Sequence, residues 1–268
     1  MPSGLKTEVI VPFFNERKCF GNSRKTGFFK ALKNWTAEDS ANRSVVFVND
    51  GSKDGGEERV MREGFQIINS HPSGQNAGKG AALIAGFRHA HGKGAEVAVT
   101  IDADVVNLTP GRINGLVESL QHVFPSGCKS NMAIGRKIEG GMVAIPSLNG
   151  ERAIRLAALH PLFKGGRKAE KIEALMQQFG AETALNHLLS HDVPDVWFES
   201  LKAYRKGRIH QQKQINSTDA MLSERGQLAK RLWELKRRAL GRGIPRGKVA
   251  GRIAEILGKE RRNKPHLR

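Results

Sequence analysis

The sequence predicts an α/β fold with a mostly parallel central sheet and helices on both faces. Two observations predict it. Short runs rich in β-branched residues alternate with helix-like stretches over the first 136 residues, as in consecutive βαβ units. Polar residues follow the first, second and fourth of these runs, at the strand ends where ligands bind in open parallel sheets. With 268 residues, the chain can bury a core without disulfides or metal.

The predicted elements follow from this alternation. Strands are predicted over residues 7–14, 44–48, 65–68, 96–101 and 132–134. The helices expected between them cover residues 25–34, 56–63, 81–91 and 112–123. The pattern is looser after Arg136, where we expect helices over 148–159, 168–179 and 182–191 and one more strand over 193–198.

The composition excludes several classes of protein. With 39% hydrophobic and 26% charged residues, the chain is neither collagen-like, mucin-like nor wholly disordered. Its two cysteines, Cys19 and Cys128, cannot form a disulfide framework, which favours a reducing compartment. No apolar run approaches the ~20 residues that span a bilayer, and the N-terminus has no signal-peptide pattern. We therefore expect a cytoplasmic protein.

The net charge of +18 is concentrated at the C-terminus. Residues 225–268 carry 15 Lys and Arg against three acidic residues. Basic helices are expected over 219–240 and 247–258, separated by the breaker at 241–245. The sequence thus predicts a body over residues 1–216 and a basic helical extension over 217–268.

The basic extension is compatible with several roles. A solvated tail that aids solubility is one of them. Nucleic acid is not the partner we expect, because the extension has only Trp233 for base stacking. Leu228, Leu232 and Leu235 form an apolar stripe beside basic residues, which favours the anionic inner face of a membrane. Packing of that stripe on the body or on a second subunit explains it equally well, and the oligomeric state stays open.

Asp102-Ala103-Asp104 is the first candidate site. Two carboxylates two residues apart after an apolar strand point the same way if the backbone is extended, so both can face one hard cation. Mg²⁺ or Mn²⁺ held in this way keeps open positions for a diphosphate. An isolated motif of this kind is usually a solvated turn, but the preceding strand and the other polar clusters favour a site.

Residues 76–81 (NAGKGA) supply a glycine-rich helix start with one ammonium group, which suits a phosphate. They do not form a Walker A loop, because Gly80 stands where a Ser or Thr must bind magnesium. Asp50, Asn15 and Glu16 can accept hydrogen bonds from a base or a ribose. The alternative for these three residues is turn formation and helix capping.

Four motifs in order resemble family 2 glycosyltransferases. They are residues 9–16 (VIVPFFNE), 46–55 (VFVNDGSKDG), 76–82 (NAGKGAA) and 101–104 (IDAD). The likeness covers about residues 7–136, is weaker over 137–216 and is absent beyond. It implies a GT-A fold that holds a nucleoside-diphosphate sugar across the sheet edge, with a nucleotide half over residues 1–136 and an acceptor half over residues 137–216. The pair Phe13-Phe14 departs from the family's more usual aliphatic–tyrosine pair.

The resemblance also implies roles for individual residues. The donor would be held by Pro12, Phe13, Asn15, Glu16, Asp50, Gly78, Lys79, Asp102 and Ala103. In this group Lys79 serves the phosphates, while Asp102 and Asp104 hold the divalent cation and Asp104 also counts as catalytic.

The second half resembles the polyprenyl-phosphate sugar transferases of the same family. Residues 134–136 (IGR) and 149–155 (NGERAIR) are similar to their acceptor side, which implies that Arg136, after the fifth strand, and Arg152, on the next helix, bind an acceptor phosphate. Arginine suits this role because its guanidinium group can donate hydrogen bonds to two phosphate oxygens at once. Residues 180–186 resemble the segment that supplies an acidic group near the acceptor, and Glu182 is the candidate general base. The alternative for the two arginines is that they lie exposed on the surface of an amphipathic helix. The alternative for Glu182 is that it stabilises the dipole at the start of a helix.

The function expected from these residues is metal-dependent, inverting transfer of a sugar from a nucleoside-diphosphate sugar. The acceptor is a glycan, a small molecule or a polyprenyl phosphate. A sugar nucleotidyltransferase is the first alternative, although it would carry a glycine-rich signature after its first strand. The second alternative is a non-catalytic protein that binds nucleic acid or an anionic membrane through the basic extension.

Overall fold

The computed structural model describes residues 4–21, 26–123, 129–139, 142–143, 149–177 and 180–200. Cys128, the boundary expected at residue 216 and the basic helices expected over 219–240 and 247–258 lie outside these ranges.

The strands within the described residues are β1 (Thr7–Phe13), β2 (Arg43–Asn49), β3 (Gln66–Asn69), β4 (Val97–Thr100), β5 (Met132–Ile134), β6 (Arg136–Glu139), β7 (Met142–Val143), β8 (Arg152–Arg155), β9 (His191–Asp192) and β10 (Trp197–Ser200). The helices are α1 (Arg17–Gly21), α2 (Thr26–Ala37), α3 (Gly56–Arg62), α4 (Lys79–Gly92), α5 (Pro110–Ser119), α6 (His160–Phe163), α7 (Gly166–Met176) and α8 (Ala181–Leu188).

The central sheet has the order β3-β2-β1-β4-β8-β5-β9. Strands β1, β2, β3 and β4 pair in parallel, and β9 pairs in parallel with β5. Strand β8 runs antiparallel between β4 and β5. A separate small sheet has the order β10-β6-β7. The sheet is therefore mostly parallel, as the sequence predicts, with one reversed strand inserted near its middle.

Helices cover both faces of the central sheet because successive residues of its strands point to opposite sides. Ile10 of β1 packs in a cluster with side chains of α4, α7 and α8. Its neighbours Val9 and Val11 pack in a second cluster with side chains of α2 and α5. Both clusters are apolar and buried, so the strand ends are held rigidly between two helical layers.

The predicted elements of the first half agree with the structure to within three residues at nearly every boundary; the predicted helix over 112–123 ends later than α5. The helix expected over 148–159 is wrong. These residues contain β8 and a short 3₁₀ helix, Leu156–Leu159. Ala153 and Ile154 face the two opposite buried clusters, and a strand buried on both sides lacks the alternation that separates strand from helix in a sequence.

The strand expected over 193–198 lies further along the chain, as β10. Among the helices that the structure describes, none has the length and apolar character needed to cross a membrane.

Candidate active site

The candidate site lies where β4 ends, beside the start of α4. Asp102 follows β4, and its two carboxylate oxygens meet two different lysines. Lys79 Nζ lies 2.7 Å from Oδ1 of Asp102, and Lys137 Nζ lies 3.0 Å from Oδ2. Burial alone raises the pKa of Asp102, but the two ammonium groups outweigh it and hold this pKa well below its usual value.

Lys137 is the buried member of this pair, with 5% of its side chain exposed. Its Nζ also lies 3.1 Å from Oε1 of Glu151 and 4.0 Å from Oδ1 of Asp104. The two carboxylates of the sequence motif therefore converge on one ammonium group, although they sit in a turn closed by a hydrogen bond from Val105 N to the Asp102 carbonyl. Burial raises the pKa of Glu151 above its usual value, although the positive charge of Lys137 acts to lower it.

Lys79 connects Asp102 to Glu182, which is in the first turn of α8. Its Nζ lies 3.0 Å from Oε1 of Glu182, whose side chain is 3% exposed. Burial alone lowers the pKa of Lys79, but the charges of Asp102 and Glu182 outweigh this effect and raise it above the usual value. Lys79 is thus firmly cationic, as a phosphate-binding group must be.

These side chains form one unit, the carboxylate–lysine cluster, defined as Lys79, Asp102, Asp104, Lys137, Glu151 and Glu182. It sets four carboxyl groups against two ammonium groups, which leaves an excess of negative charge. No group of three or more His, Cys, Asp or Glu side chains in the described ranges is arranged to hold a metal ion by itself. Asp102 and Asp104 nevertheless fit a hard divalent cation, because Lys137 shows that a positive charge lies between them.

Gly150 brings the backbone before β8 against Asp102. The Thr100 hydroxyl donates a hydrogen bond to the Gly150 carbonyl and so ties this backbone to the end of β4. A Cβ at Gly150 would lie 2.5 Å from Oδ1 of Asp102, closer than non-bonded atoms approach. Only glycine leaves room for the observed position of this carboxylate.

Asp50, at the end of β2, has a different environment. Its Oδ1 accepts hydrogen bonds from the Ser70 hydroxyl (2.6 Å) and Ala77 N (3.0 Å). Its Oδ2 accepts from the Asn76 side chain (2.9 Å) and Gly78 N (3.0 Å). Both oxygens are thus used to fix the loop that leads into α4. Positioning of this loop is the alternative noted above for Asp50, and the contact with a nucleoside that the resemblance implies stays a prediction.

The residues after β1 form a wall beside the loop that follows β2. Asn15 has a left-handed backbone with φ 54°, accepts a hydrogen bond from Lys53 N and has its own N–H bonded to the Ser52 hydroxyl. Glu16 contacts Cys19 through its carboxylate. Asn15 therefore lies at the expected strand end, with its side-chain oxygen engaged in joining two loops.

Phe13 does not line this wall. It is 3% exposed and packs edge-to-face against Phe20 and Phe47 in the core, so its expected contact with the donor is wrong. Phe14, which is 45% exposed, is the aromatic residue presented at this edge. The last strand residue and the one after it point to opposite sides, which assigns one ring to the core and the other to solvent. Pro12 is buried within β1.

Arg152 is also placed differently from expectation. It lies in the central strand β8, not on a helix, and is 1% exposed. Its guanidinium donates to the Asn149 carbonyl and to Oδ1 of Asn186. These contacts join β8 to α8 inside the protein, so Arg152 has a structural role and is not presented to an acceptor.

Arg136 follows β5 at the surface, as expected. Its guanidinium lies over the Trp197 ring, 5.5 Å from the centroid, and its Nε is 3.6 Å from Oδ1 of Asp195. It stays partly exposed, so it can reach a phosphate. Gly78, with φ 88°, precedes α4, and Ala103 is buried in the turn between the two aspartates.

Lys137, Glu151 and Gly150 were missed from the sequence. All three lie within two positions of a candidate residue, because Lys137 follows Arg136, and Gly150 and Glu151 precede Arg152. Side chains alternate between the two faces of a strand, so Lys137 lies on the face opposite Arg136. This alternation is the sequence signal from which Lys137 could have been predicted. The placement of Glu151 depends on β8, where the sequence predicts a helix.

A cavity of about 770 Å³ adjoins the cluster at Lys79. It extends between α4 and α7 and is lined by the loop over residues 76–78, by Ile84 and by the ion pair of Arg88 with Glu173. Its size is in the usual range for small-molecule sites.

Comparison with known proteins agrees with this geometry. Residues 8–131 match the family model described as Glycosyl transferase family 2, which confirms the resemblance over this part of the chain.

Among curated proteins, the chain is 33% identical over 104 residues to the prophage bactoprenol glucosyl transferase homolog of Escherichia coli K12. That alignment covers 38% of this chain and 31% of the relative. It is also 33% identical over 117 residues to the undecaprenyl-phosphate 4-deoxy-4-formamido-L-arabinose transferase of Aeromonas hydrophila, over 41% of this chain and 32% of that relative. The chain thus matches about a third of the length of these two relatives.

Among solved structures, the chain resembles glucosyl-3-phosphoglycerate synthase from Mycobacterium tuberculosis in complex with Mn²⁺, UDP and glucosyl-3-phosphoglycerate. The TM-score is 0.56 at 16% identity, over 83% of this chain and 80% of that chain. A structure described as a mycobacterial protein gives a TM-score of 0.53 at 16% identity, over 91% of this chain and 76% of that one. These likenesses show that the fold is the GT-A fold.

Proposed function

We propose that the chain is a metal-dependent, inverting glycosyltransferase that moves a sugar from a nucleoside-diphosphate sugar to an acceptor hydroxyl or a polyprenyl phosphate. One observation carries the proposal. The ammonium group at the start of α4 and the carboxylate after β4 meet at 2.7 Å, so a phosphate-binding group and a cation-binding group share one site.

The donor half of the reaction uses Lys79, Asp102 and Asp104. A diphosphate that enters beside α4 attracts Lys79, which neutralises the charge that develops on the leaving group. Asp102 and Asp104 would hold Mg²⁺ or Mn²⁺, which stabilises the departing diphosphate as a Lewis acid. The loop fixed by Asp50 and the wall at Asn15 and Glu16 would orient the nucleoside.

The acceptor half depends on the class of acceptor. A hydroxyl needs a base, and Glu182 can take its proton once Lys79 turns toward the diphosphate. A polyprenyl phosphate is already ionised and needs no base, and Arg136 can hold it. Inversion requires that the acceptor attack the anomeric carbon from the side opposite the diphosphate.

The relatives support both parts of this proposal. Their names include transferases of bactoprenol and undecaprenyl phosphate, which are polyprenyl acceptors. Glucosyl-3-phosphoglycerate synthase from Mycobacterium tuberculosis was solved with UDP and Mn²⁺ and, in another structure, with UDP and Mg²⁺.

Thermal unfolding with UDP, GDP, CDP and TDP, each with and without Mn²⁺, tests the donor half. We expect one nucleotide to raise the melting temperature in a metal-dependent way, and a ligand at 100 times its Kd adds about 2.7 kcal/mol. The response should be lost in the double variant Asp102→Ala/Asp104→Ala and kept in Asp39→Asn, which lies before β2 at the opposite edge of the sheet. No response to any nucleotide would refute the proposal.

Transfer from the matching nucleoside-diphosphate sugar, offered undecaprenyl phosphate in detergent or 3-phosphoglycerate, tests the acceptor half. If polyprenyl phosphate is the acceptor, Arg136→Ala should reduce transfer to it while Glu182→Gln has little effect. If a hydroxyl is the acceptor, Glu182→Gln should have the larger effect.

We propose also that the chain works in the cytoplasm at the inner face of a membrane, with residues 1–216 as the catalytic body and 217–268 as a basic extension. The excess of Lys and Arg over residues 225–268 supports this location, because each such residue gains about 1 kcal/mol near anionic headgroups. Sedimentation with phosphatidylglycerol vesicles should capture the chain at low salt and release it at high salt. Vesicles of phosphatidylcholine alone should not capture it.

A further inference from the structure

Lys137 lies in the place that a divalent cation would take between the carboxylates. Its ammonium group is within 4.0 Å of Asp102, Asp104 and Glu151, and its side chain is 5% exposed. A lysine buried to this degree is kept only where carboxylates compensate its charge. The cluster therefore contains its own cation.

An ammonium group and a metal ion cannot both occupy this position. Oδ2 of Asp102 lies 3.0 Å from Lys137 Nζ, and a bound Mg²⁺ or Mn²⁺ needs oxygen ligands at about 2.0–2.2 Å. Two cations this close repel each other strongly where water is excluded. Metal binding must therefore move the Lys137 ammonium away from Asp102.

Glu151 gives the ammonium group a place to go. It lies 3.1 Å from Lys137 Nζ and is fully buried, on the backbone that Gly150 brings against Asp102. Lys79 differs in this respect, because it is drawn away from Asp102 by the donor diphosphate itself. Lys137 therefore controls the metal and Lys79 responds to the donor.

We propose that Lys137 is a built-in competitor of the divalent cation, which occupies the carboxylates of Asp102 and Asp104 until the metal displaces it toward Glu151. This inference rests on the proposed metal site. Its consequence is weak binding of the metal to the free protein, so that metal and donor bind well only together.

Mn²⁺ binding to the full chain without nucleotide, followed by electron paramagnetic resonance of free Mn²⁺, tests the inference. Lys137→Met should bind Mn²⁺ at least about tenfold more tightly than the unmodified protein, because one competing charge is removed. Lys137→Arg keeps the charge and should bind weakly. Lys33→Met, which removes an exposed lysine paired with Glu63, is the matched control and should change nothing.

Two further variants keep the test decisive. Adding Asp104→Asn to Lys137→Met should abolish the gain, and a gain that persists would place the metal elsewhere and overturn the inference. If Lys137→Met does not fold, Glu151→Gln decides, because loss of the alternative partner holds the ammonium at Asp102 and should weaken Mn²⁺ binding about threefold. Unchanged or tighter binding in that variant would overturn it.

The same experiment separates this inference from the proposed function. Equal or weaker Mn²⁺ binding by a folded Lys137→Met overturns the competition, and so does the absence of Mn²⁺ binding in every variant. Stabilisation of the unmodified protein by UDP, GDP, CDP or TDP with Mn²⁺, measured in parallel, decides separately whether a nucleotide site exists.

Discussion

Asp50 and Asp102 follow neighbouring regions of the same sheet edge, but they have different partners. Asp50 accepts hydrogen bonds from two backbone N–H groups, one hydroxyl and one amide, all neutral and all in the loop before α4. Asp102 is bound by two ammonium groups on long side chains. The first carboxylate is fixed in place, and the second has partners that can move.

The difference indicates which carboxylate serves the architecture and which serves the chemistry. Backbone donors cannot leave Asp50 without unfolding the loop. Lysine side chains can turn from Asp102 to a phosphate or to another carboxylate at small cost, since Lys79 already contacts Glu182 and Lys137 already contacts Glu151. A site in which a bound ligand replaces the contacts of its own lysines needs partners that can move, as those of Asp102 can.

Asp50→Ala should give the largest effect, a loss of about 3 kcal/mol in the free energy of unfolding, because four hydrogen-bond donors lose the same buried acceptor together. Urea denaturation followed by tryptophan fluorescence measures it. Glu58→Gln, an exposed change on α3, is the control and should be neutral. A loss below about 1 kcal/mol would mean that water replaces the carboxylate and that Asp50 is free for another role.

Asp102→Asn should have the opposite effects, a large loss of activity and a small loss of stability. Sugar transfer should fall at least about 100-fold, equivalent to about 2.7 kcal/mol of transition-state stabilisation. The free energy of unfolding should fall by less than about 1.5 kcal/mol, because each lysine keeps a second carboxylate. Stability and initial rates measured on one preparation check both numbers, and a stability loss as large as that of Asp50→Ala would remove the distinction between the two residues.

Gly150→Ala should reduce transfer about tenfold, or about 1.4 kcal/mol, because the new Cβ displaces the Asp102 carboxylate from its position. Gly92→Ala, at the end of α4 with no atom within 4 Å of the added Cβ, is the matched control. If Gly150→Ala retained full activity, the observed position of Asp102 would not matter for catalysis.

Glu151→Gln should give the smallest effect, and it should depend on pH. Burial raises the pKa of Glu151 in the folded protein above its usual 4.5, so its contribution to stability is complete below pH 4.5 and is lost as the pH rises through the folded value. The unmodified protein should therefore lose stability relative to Glu151→Gln as the pH rises above 4.5. Melting temperatures measured from pH 4.5 upward check the sign, and parallel curves would show that burial does not raise the pKa of Glu151.

Much of residues 1–136 was predictable because the signals there are local. Strands β1, β2, β3 and β4 correspond to short runs that contain β-branched residues, and the turn after β4 could be located from the sequence as the place of Asp102 and Asp104. The expected contact of Phe13 with the donor was wrong. Adjacent residues of a strand point to opposite sides, and the sequence did not show whether Phe13 or Phe14 faces the core.

The described residues after Arg136 were less predictable for a physical reason. Strand β8 is buried on both sides by Ala153 and Ile154, so no alternation reveals it, and its pairing with β4 joins residues about fifty positions apart. Arg152 was therefore expected on a helix surface, and it lies in the interior.

The sequence by itself determined the α/β fold, the sheet edge that carries the site, and the identities of Lys79, Asp102, Asp104 and Glu182 as its candidates, because strand ends and helix starts are set by short-range patterns. Only the tertiary structure decided which carboxylate meets which lysine. Insertion of β8 beside β4 brings Glu151 and Gly150 to Asp102, and β6 brings Lys137 between the carboxylates. These contacts depend on long-range strand pairing, which no local pattern encodes.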